Sequence, residues 1–219
     1  MTGSDSTSAQ VSWGLIVPDD WWRIPLQDPV ARTRALRTLV DTQFGKADAA
    51  ASVRRKVRAD VQGLASRAAA AGGVYMAIST TLFEKMPLAI TMVVYELPAL
   101  RTSSDEVELG DELEELARRG AREDASLSRA QIDAGLVIRS VWASEVVRPE
   151  PGATSATPPE LRAEYWLAPK RHDAVVYIVF TCPWVTLADD VVGLFDSVVE
   201  SFHGAPVLAE RSHTRDEGS

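Results

Sequence analysis

"AVVYIVFTC", residues 174–182, carries apolar side chains in both of its alternating sets. Successive residues of a strand point to opposite faces of a sheet. Val175, Tyr177 and Val179 therefore form one row, and Val176, Ile178 and Phe180 the other. A strand that is apolar on both rows needs cover on both faces, so this ribbon belongs at the centre of a sheet packed above and below.

The flanking sequence fits that frame. "LRAEYWLA" (161–168) reads as a hairpin partner joined through "PKRHD" (169–173). Downstream, "TLADDVVGLFDSVVESFHG" (186–204) repeats Val191, Leu194, Phe195, Val198 and Phe202 at helical spacing, which predicts a terminal helix returning to the sheet. Thr186 and Asp189 stand at capping-box spacing at its start. Upstream, "LVIRSVWASEVV" (136–147) predicts a strand, with a short partner near "RAQID" (129–133) across a turn at Asp133–Gly135. "GVYMAIST" (73–80) and "LAITMVVYEL" (88–97) predict a further antiparallel pair.

Three more helices are expected. "DPVARTRALRTLVDTQFG" (28–45) opens on Asp28 as N-cap with Pro29 in the first turn, closes at Gly45, and carries the stripe Leu36, Leu39, Val40 and Phe44. A second helix is expected over 49–71, stopped by Gly72 and Gly73, with Arg54, Arg55, Lys56 and Arg58 on its solvated side. "TSSDEVELGDELEELARRG" (102–120) is strongly acidic, with Arg118 and Arg119 in the last turn where the helix dipole favours cations. The order of elements defines an α+β class: a mainly antiparallel sheet with helices on both faces. One domain over 11–204 is expected, between polar tails at 1–10 and 205–219, with "RPEPGATSATPPE" (148–160) as a loop within it.

"PDDWWRIPLQDP" (18–29) places two tryptophans side by side. "VSWGLIV" (11–17) and "WWRIPL" (21–26) predict a hairpin turning at Pro18, Asp19 and Asp20. Alternation groups Trp22 with Ile24 and Leu26 as core, and sends Trp21 the other way with Arg23. Two readings of Trp21 stay open. It lies beneath a helix or tail, as most large aromatics do, or Trp21 and Arg23, with Asp19 and Asp20 beside them, form a contact surface for another protein.

The strand entry "PDDWWRI", the helix after it, and the closing "VVYIVFTCP…FDSVVESF" resemble the Mog1/PsbP-like superfamily. That resemblance implies an α/β/α sandwich around an antiparallel sheet. It also implies a non-catalytic binding or scaffold role, as in relatives that bind a small GTPase, photosystem subunits or actinobacterial envelope machinery.

The formal charge of -8 disfavours nucleic acid and anionic lipid as partners. A single cysteine, Cys182, allows no internal disulfide and no cysteine-built zinc site. With no secretory leader pattern at the start and no apolar run near the ~20 residues of a membrane span, the chain is expected to be cytoplasmic, not inserted in a membrane. Phosphate-loop, dinucleotide, nucleophile-elbow and zinc-protease motifs are missing, so no metal or cofactor is expected. His172 beside Asp173 reads as turn polarity, His203 as a helix-end group, His213 as tail, and Cys182 as a buried hydrophobe. The leading expectation is a non-enzymatic interaction or accessory domain whose partner is another protein, with self-association open. The alternative is an enzyme or small-ligand binder with a pocket built from distant residues, Cys182 or His172 among them.

Overall fold

The computed structural model describes residues 12–45, 51–79, 82–83, 86–87, 89–100, 105–144, 159–170 and 172–205. The expected N-terminal tail and most of the Pro-rich loop lie outside them, as does the C-terminal tail after residue 205. The strands are β1 (Ser12–Gly14), β2 (Trp21–Pro25), β3 (Gly73–Ser79), β4 (Leu82–Phe83), β5 (Met86–Pro87), β6 (Thr91–Leu97), β7 (Ser126–Gln131), β8 (Gly135–Ser144), β9 (Glu160–Pro169), β10 (Val175–Cys182) and β11 (His203–Ala205). The helices are α1 (Pro29–Phe44), α2 (Ala51–Ala70), α3 (Glu106–Gly120) and α4 (Ala188–Glu200).

Seven strands form one antiparallel sheet in the order β2-β3-β6-β10-β9-β8-β7. β10 is the middle strand, as its two apolar rows require. Val176, Ile178, Phe180 and Cys182 pack with α4 residues Val191, Phe195, Val198 and Val199 on one face. On the other face Met76 and Val93 meet α1 and α2 through Leu36, Leu39, Ala65 and Ala68. Beside that cluster, Val175, Trp166 and Ile138 lie under Leu109, Leu113 and Ala117 of α3. The result is an α/β/α sandwich with α4 alone on one side and α1, α2 and α3 on the other.

Local chemistry places the helix ends. Asp28 Oδ1 accepts from the N–H groups of Val30 at 2.8 Å and Ala31 at 3.0 Å. Asp105 Oδ1 does the same for Val107 at 2.8 Å and Glu108 at 3.3 Å, satisfying donors that the helix leaves free. α4 starts differently. It follows a 3-10 turn at Val185–Leu187 and has no side-chain cap, so the expected Thr186–Asp189 capping box does not form.

The predicted N-terminal hairpin is also corrected. β1 pairs with β11, Ser12 opposite Ala205, while β2 pairs with β3, Trp21 opposite Ser79. The Pro18–Asp20 turn is real, closed by the Trp21 N–H on the Pro18 carbonyl at 3.0 Å. It changes the direction of the chain without pairing the strands on either side.

Candidate functional site

At the β7 end of the sheet, on the α4 face, a cleft of about 260 Å³ opens. Register explains which side chains line it. Ser128 stands opposite Arg139 and Ala130 opposite Val137, so all four project to the same face of the β7–β8 ladder. Tyr165 is opposite Arg139 on β9 and joins them. Asp196, Val199 and Glu200 come from α4, where spacings of three and four put them on one helical face.

One carboxylate organises the floor. The Arg139 guanidinium donates from Nη1 to Asp196 Oδ2, and the Tyr165 hydroxyl donates to Asp196 Oδ1 at 2.8 Å. Arg139 Nε also donates to Ser128 Oγ at 3.2 Å, carrying the network out to the edge strand. Tyr165 is buried, edge-on to Phe180 with ring centroids 5.6 Å apart. Burial and then the Asp196 carboxylate push its pKa far above the ordinary phenol range, against the opposing effect of Arg139. The hydroxyl therefore remains a donor. Burial works against the charge on Arg139, but the hydrogen bond and charge of Asp196 outweigh it and raise the pKa. Arg139 is therefore a fixed cation on that carboxylate. Apolar walls come from Ile132, Val137 and Val199, and the exposed Glu200 stands at the rim.

The opposite face holds a second polar group with a different character. Arg162 Nε donates to Glu164 Oε1 at 2.8 Å, and the Glu164 side chain is only 5% exposed. Arg162 also lies over the Trp142 ring at 5.6 Å, while Tyr177 stacks on Trp166 at 4.0 Å. Burial, followed by Glu164, raises the Tyr177 pKa well above the usual phenol value. The Ser140 hydroxyl and Trp166 indole N–H are buried with no hydrogen-bond partner among the described residues.

The residues singled out from sequence fall elsewhere. Trp21 is buried, in edge contact with Phe180 at 6.5 Å, and packs in the same core as Leu15 and Val17. It is not a surface anchor, because that face of β2 belongs to the core on the α4 side of the sheet. Trp22 is the half-buried member of the pair, packed against the α1–α2 cluster. Arg23, Asp19 and Asp20 are exposed beside β2, at the edge of the sheet opposite β7.

His172 Nε2 lies 3.6 Å from Glu96 Oε1, which also accepts the Trp13 indole N–H, while Asp173 is exposed. His203 belongs to β11, and its Nδ1 meets the Ser201 carbonyl oxygen at 3.0 Å. Cys182 is buried, and burial raises its thiol pKa against a backbone hydrogen bond from Trp184, the reverse of activation. His213 lies outside the described residues. Among the described residues, no group of three or more His, Cys, Asp or Glu is placed to hold a metal ion, and no helix is long and apolar enough to cross a membrane.

The sequence reading missed Arg139 and Asp196. A signal was present: each is the lone charge in an apolar run, "LVIRSVW" and "VVGLFDSVV". Such charges are rarely buried without a partner, and each here is the other's.

The layered architecture is an α/β/α sandwich around a seven-stranded antiparallel sheet. Among solved structures, LpqN of Mycobacterium tuberculosis, described as involved in cell envelope biogenesis, is similar at 11% identity, over 92% of this chain and 88% of its own, with a TM-score of 0.46. The solution structure of cyanobacterial PsbP (CyanoP) from Synechocystis sp. PCC 6803 is similar at 11% identity, over 94% of this chain and 98% of its own, with a TM-score of 0.39. No family model and no curated protein matches the chain. Likeness of this degree carries nothing about function, which has to come from the side chains themselves.

Proposed function

We propose that this chain is a non-catalytic interaction domain that holds a partner protein at the cleft between β7, β8 and α4. The observation that supports this reading is the Asp196 bridge. Arg139 and Tyr165 are locked onto one carboxylate from three different elements, so the cleft is shaped before anything enters it. A preformed site loses little conformational freedom on binding. At about 260 Å³ the cleft is smaller than the ~300–1,000 Å³ of typical small-molecule pockets and suits one or two side chains of a partner.

Ala130 supplies the test, because it is exposed on the edge strand and its side chain lines the cleft. An Ala130→Phe substitution fills the space and leaves the Asp196 network intact. Affinity capture from the native host, wild type against this variant, is expected to lose the specific partner. Identical partner sets, with both proteins folded by circular dichroism, would remove the cleft as the contact site.

A further inference from the structure

Resting on that reading, we infer that β7 receives an extended segment of the partner as an added strand of the sheet, with apolar and basic side chains in alternation. β7 is the terminal strand and has five of its six residues exposed. Ile132 and Gly135 exchange both backbone hydrogen bonds, at 3.0 and 3.2 Å. The antiparallel ladder then turns the N–H and C=O groups of Ser128 and Ala130 towards β8 and those of Leu127, Arg129 and Gln131 towards the free edge. Among the described residues no strand pairs with that edge.

Natural proteins blunt such edges with proline, bulges or very short strands. β7 has none of these: "SLSRAQ" contains no proline, and its six-residue register with β8 runs without a shift. The other edge strand, β2, ends in Pro25. Arg129 is the one charge on β7 and is paired with Asp111; a regular edge of this kind is the geometry that strand addition uses, with backbone bonds giving affinity and alternate side chains giving specificity.

The two flanks of the edge differ, and they set the chemistry of the occupant. On the α4 side an incoming side chain meets the apolar walls of the cleft at Ile132, Val137 and Val199. On the α3 side it meets a helix bearing six acids against two arginines. Gly110 lets that helix lie close on β7, since a Cβ there would strike the Arg129 guanidinium and Leu136 Cδ2. Arg129 reaches Asp111 at 2.8 Å and Gln131 reaches Glu106 at 3.0 Å, so these acids border the edge itself. Apolar residues facing α4 and lysine or arginine facing α3 complete both sides. A second copy of this chain fits poorly. Two-fold pairing through β7 keeps both α3 helices on the same face and brings like charges together.

The probe is a capped peptide, Thr-Lys-Val-Lys-Val-Lys-Thr, against its analogue with glutamate at the three lysine positions. Hydrogen exchange by NMR is expected to slow about tenfold or more at the Leu127, Arg129 and Gln131 amides, and the glutamate analogue to bind at least about tenfold more weakly. Gln131→Pro removes one outward N–H while leaving the cleft open, and is expected to weaken the lysine peptide by a similar factor. Glu106→Lys reverses one charge on that flank and removes the acceptor of the Gln131 side-chain amide, without touching the β7 backbone, and is expected to weaken the lysine peptide and favour the glutamate analogue even if the proline variant fails to fold. Unchanged exchange at the three amides, or equal binding of the two peptides, would overturn the inference. If Ala130→Phe abolishes capture of the native partner while Gln131→Pro leaves it intact, the cleft is the contact site and strand addition is wrong. If neither changes capture, both readings fall.

Discussion

Arg139 on β8 and Asp196 on α4, 57 residues apart in the chain, form an ion pair that pins the closing helix to the far side of the sheet. Tyr165 takes the other oxygen of the same carboxylate. Three elements thus share one hydrogen-bonded anion, and the shape of the cleft follows from it.

Removing that anion leaves the Arg139 charge and the Tyr165 hydroxyl without their acceptor. The pair is about one-third exposed, so water compensates for part of the loss. Asp196→Ala is expected to reduce stability by ~1–3 kcal/mol in urea unfolding, with the same circular dichroism spectrum before the transition. An unchanged midpoint would mean that the bridge does not hold the cleft.

All four tyrosines of the chain have raised pKa values in the folded state, chiefly through burial, Tyr75 to about 12 and the other three upward. A folded pKa above the unfolded value means that the native state holds its proton longer. The associated stability is complete below ~10, the unfolded phenol value, and falls as pH rises above it. Tyr165, the one fully buried, adds a slope of up to ~1.4 kcal/mol per pH unit in that window, and the half-buried three add less. Phenolate absorbance is therefore expected to appear together with unfolding above pH ~10. Titration of tyrosines near 10 in a protein that is still folded would contradict their burial.

Trp21 and Trp22 separate the two readings of the tryptophan pair by stability alone. Trp21 is 6% exposed and lies against Phe180, so Trp21→Ala is expected to cost ~3–5 kcal/mol. The half-buried Trp22 should tolerate alanine better. Thermal melts of the two variants decide the order, and the reverse order would return Trp21 to the surface.

Gly135 sits where β8 leaves its turn, and a Cβ there would meet the Ala168 carbonyl and lie 2.9 Å from Pro169 Cα. Both obstacles are backbone of β9, which cannot swing aside as a side chain can. Gly135→Ala is expected to lower stability by ~1–3 kcal/mol, read as a shift in the urea midpoint. Wild-type stability would show that β9 yields at that point.

Much of the fold was legible because it is encoded locally. The double apolar row of β10 announced a central strand. Asp28 announced a helix start, and the stripe Val191, Phe195 and Val198 announced the face of α4 that meets the sheet. Pairing between distant segments has no such local code. β1 and β2 were read as a hairpin because they are neighbours in the chain, yet β1 joins β11 and β2 joins β3. Alternation divided Trp21 from Trp22 correctly but could not say which face was wet, since both faces of this sheet are covered. Arg139, Asp196 and Tyr165 came together only through tertiary packing, whereas the exposed Asp19, Asp20 and Arg23 lie at the opposite edge.

The central claim is that recognition happens at the β7–α4 edge. NMR shift mapping of the isotope-labelled chain, titrated with the partner captured from its native host, addresses it directly. The largest changes are expected at Leu127 to Ile132 and around Glu200, with little change at Trp22 and Arg23. Changes concentrated on β2 and the Pro18–Asp20 turn, with β7 silent, would contradict it.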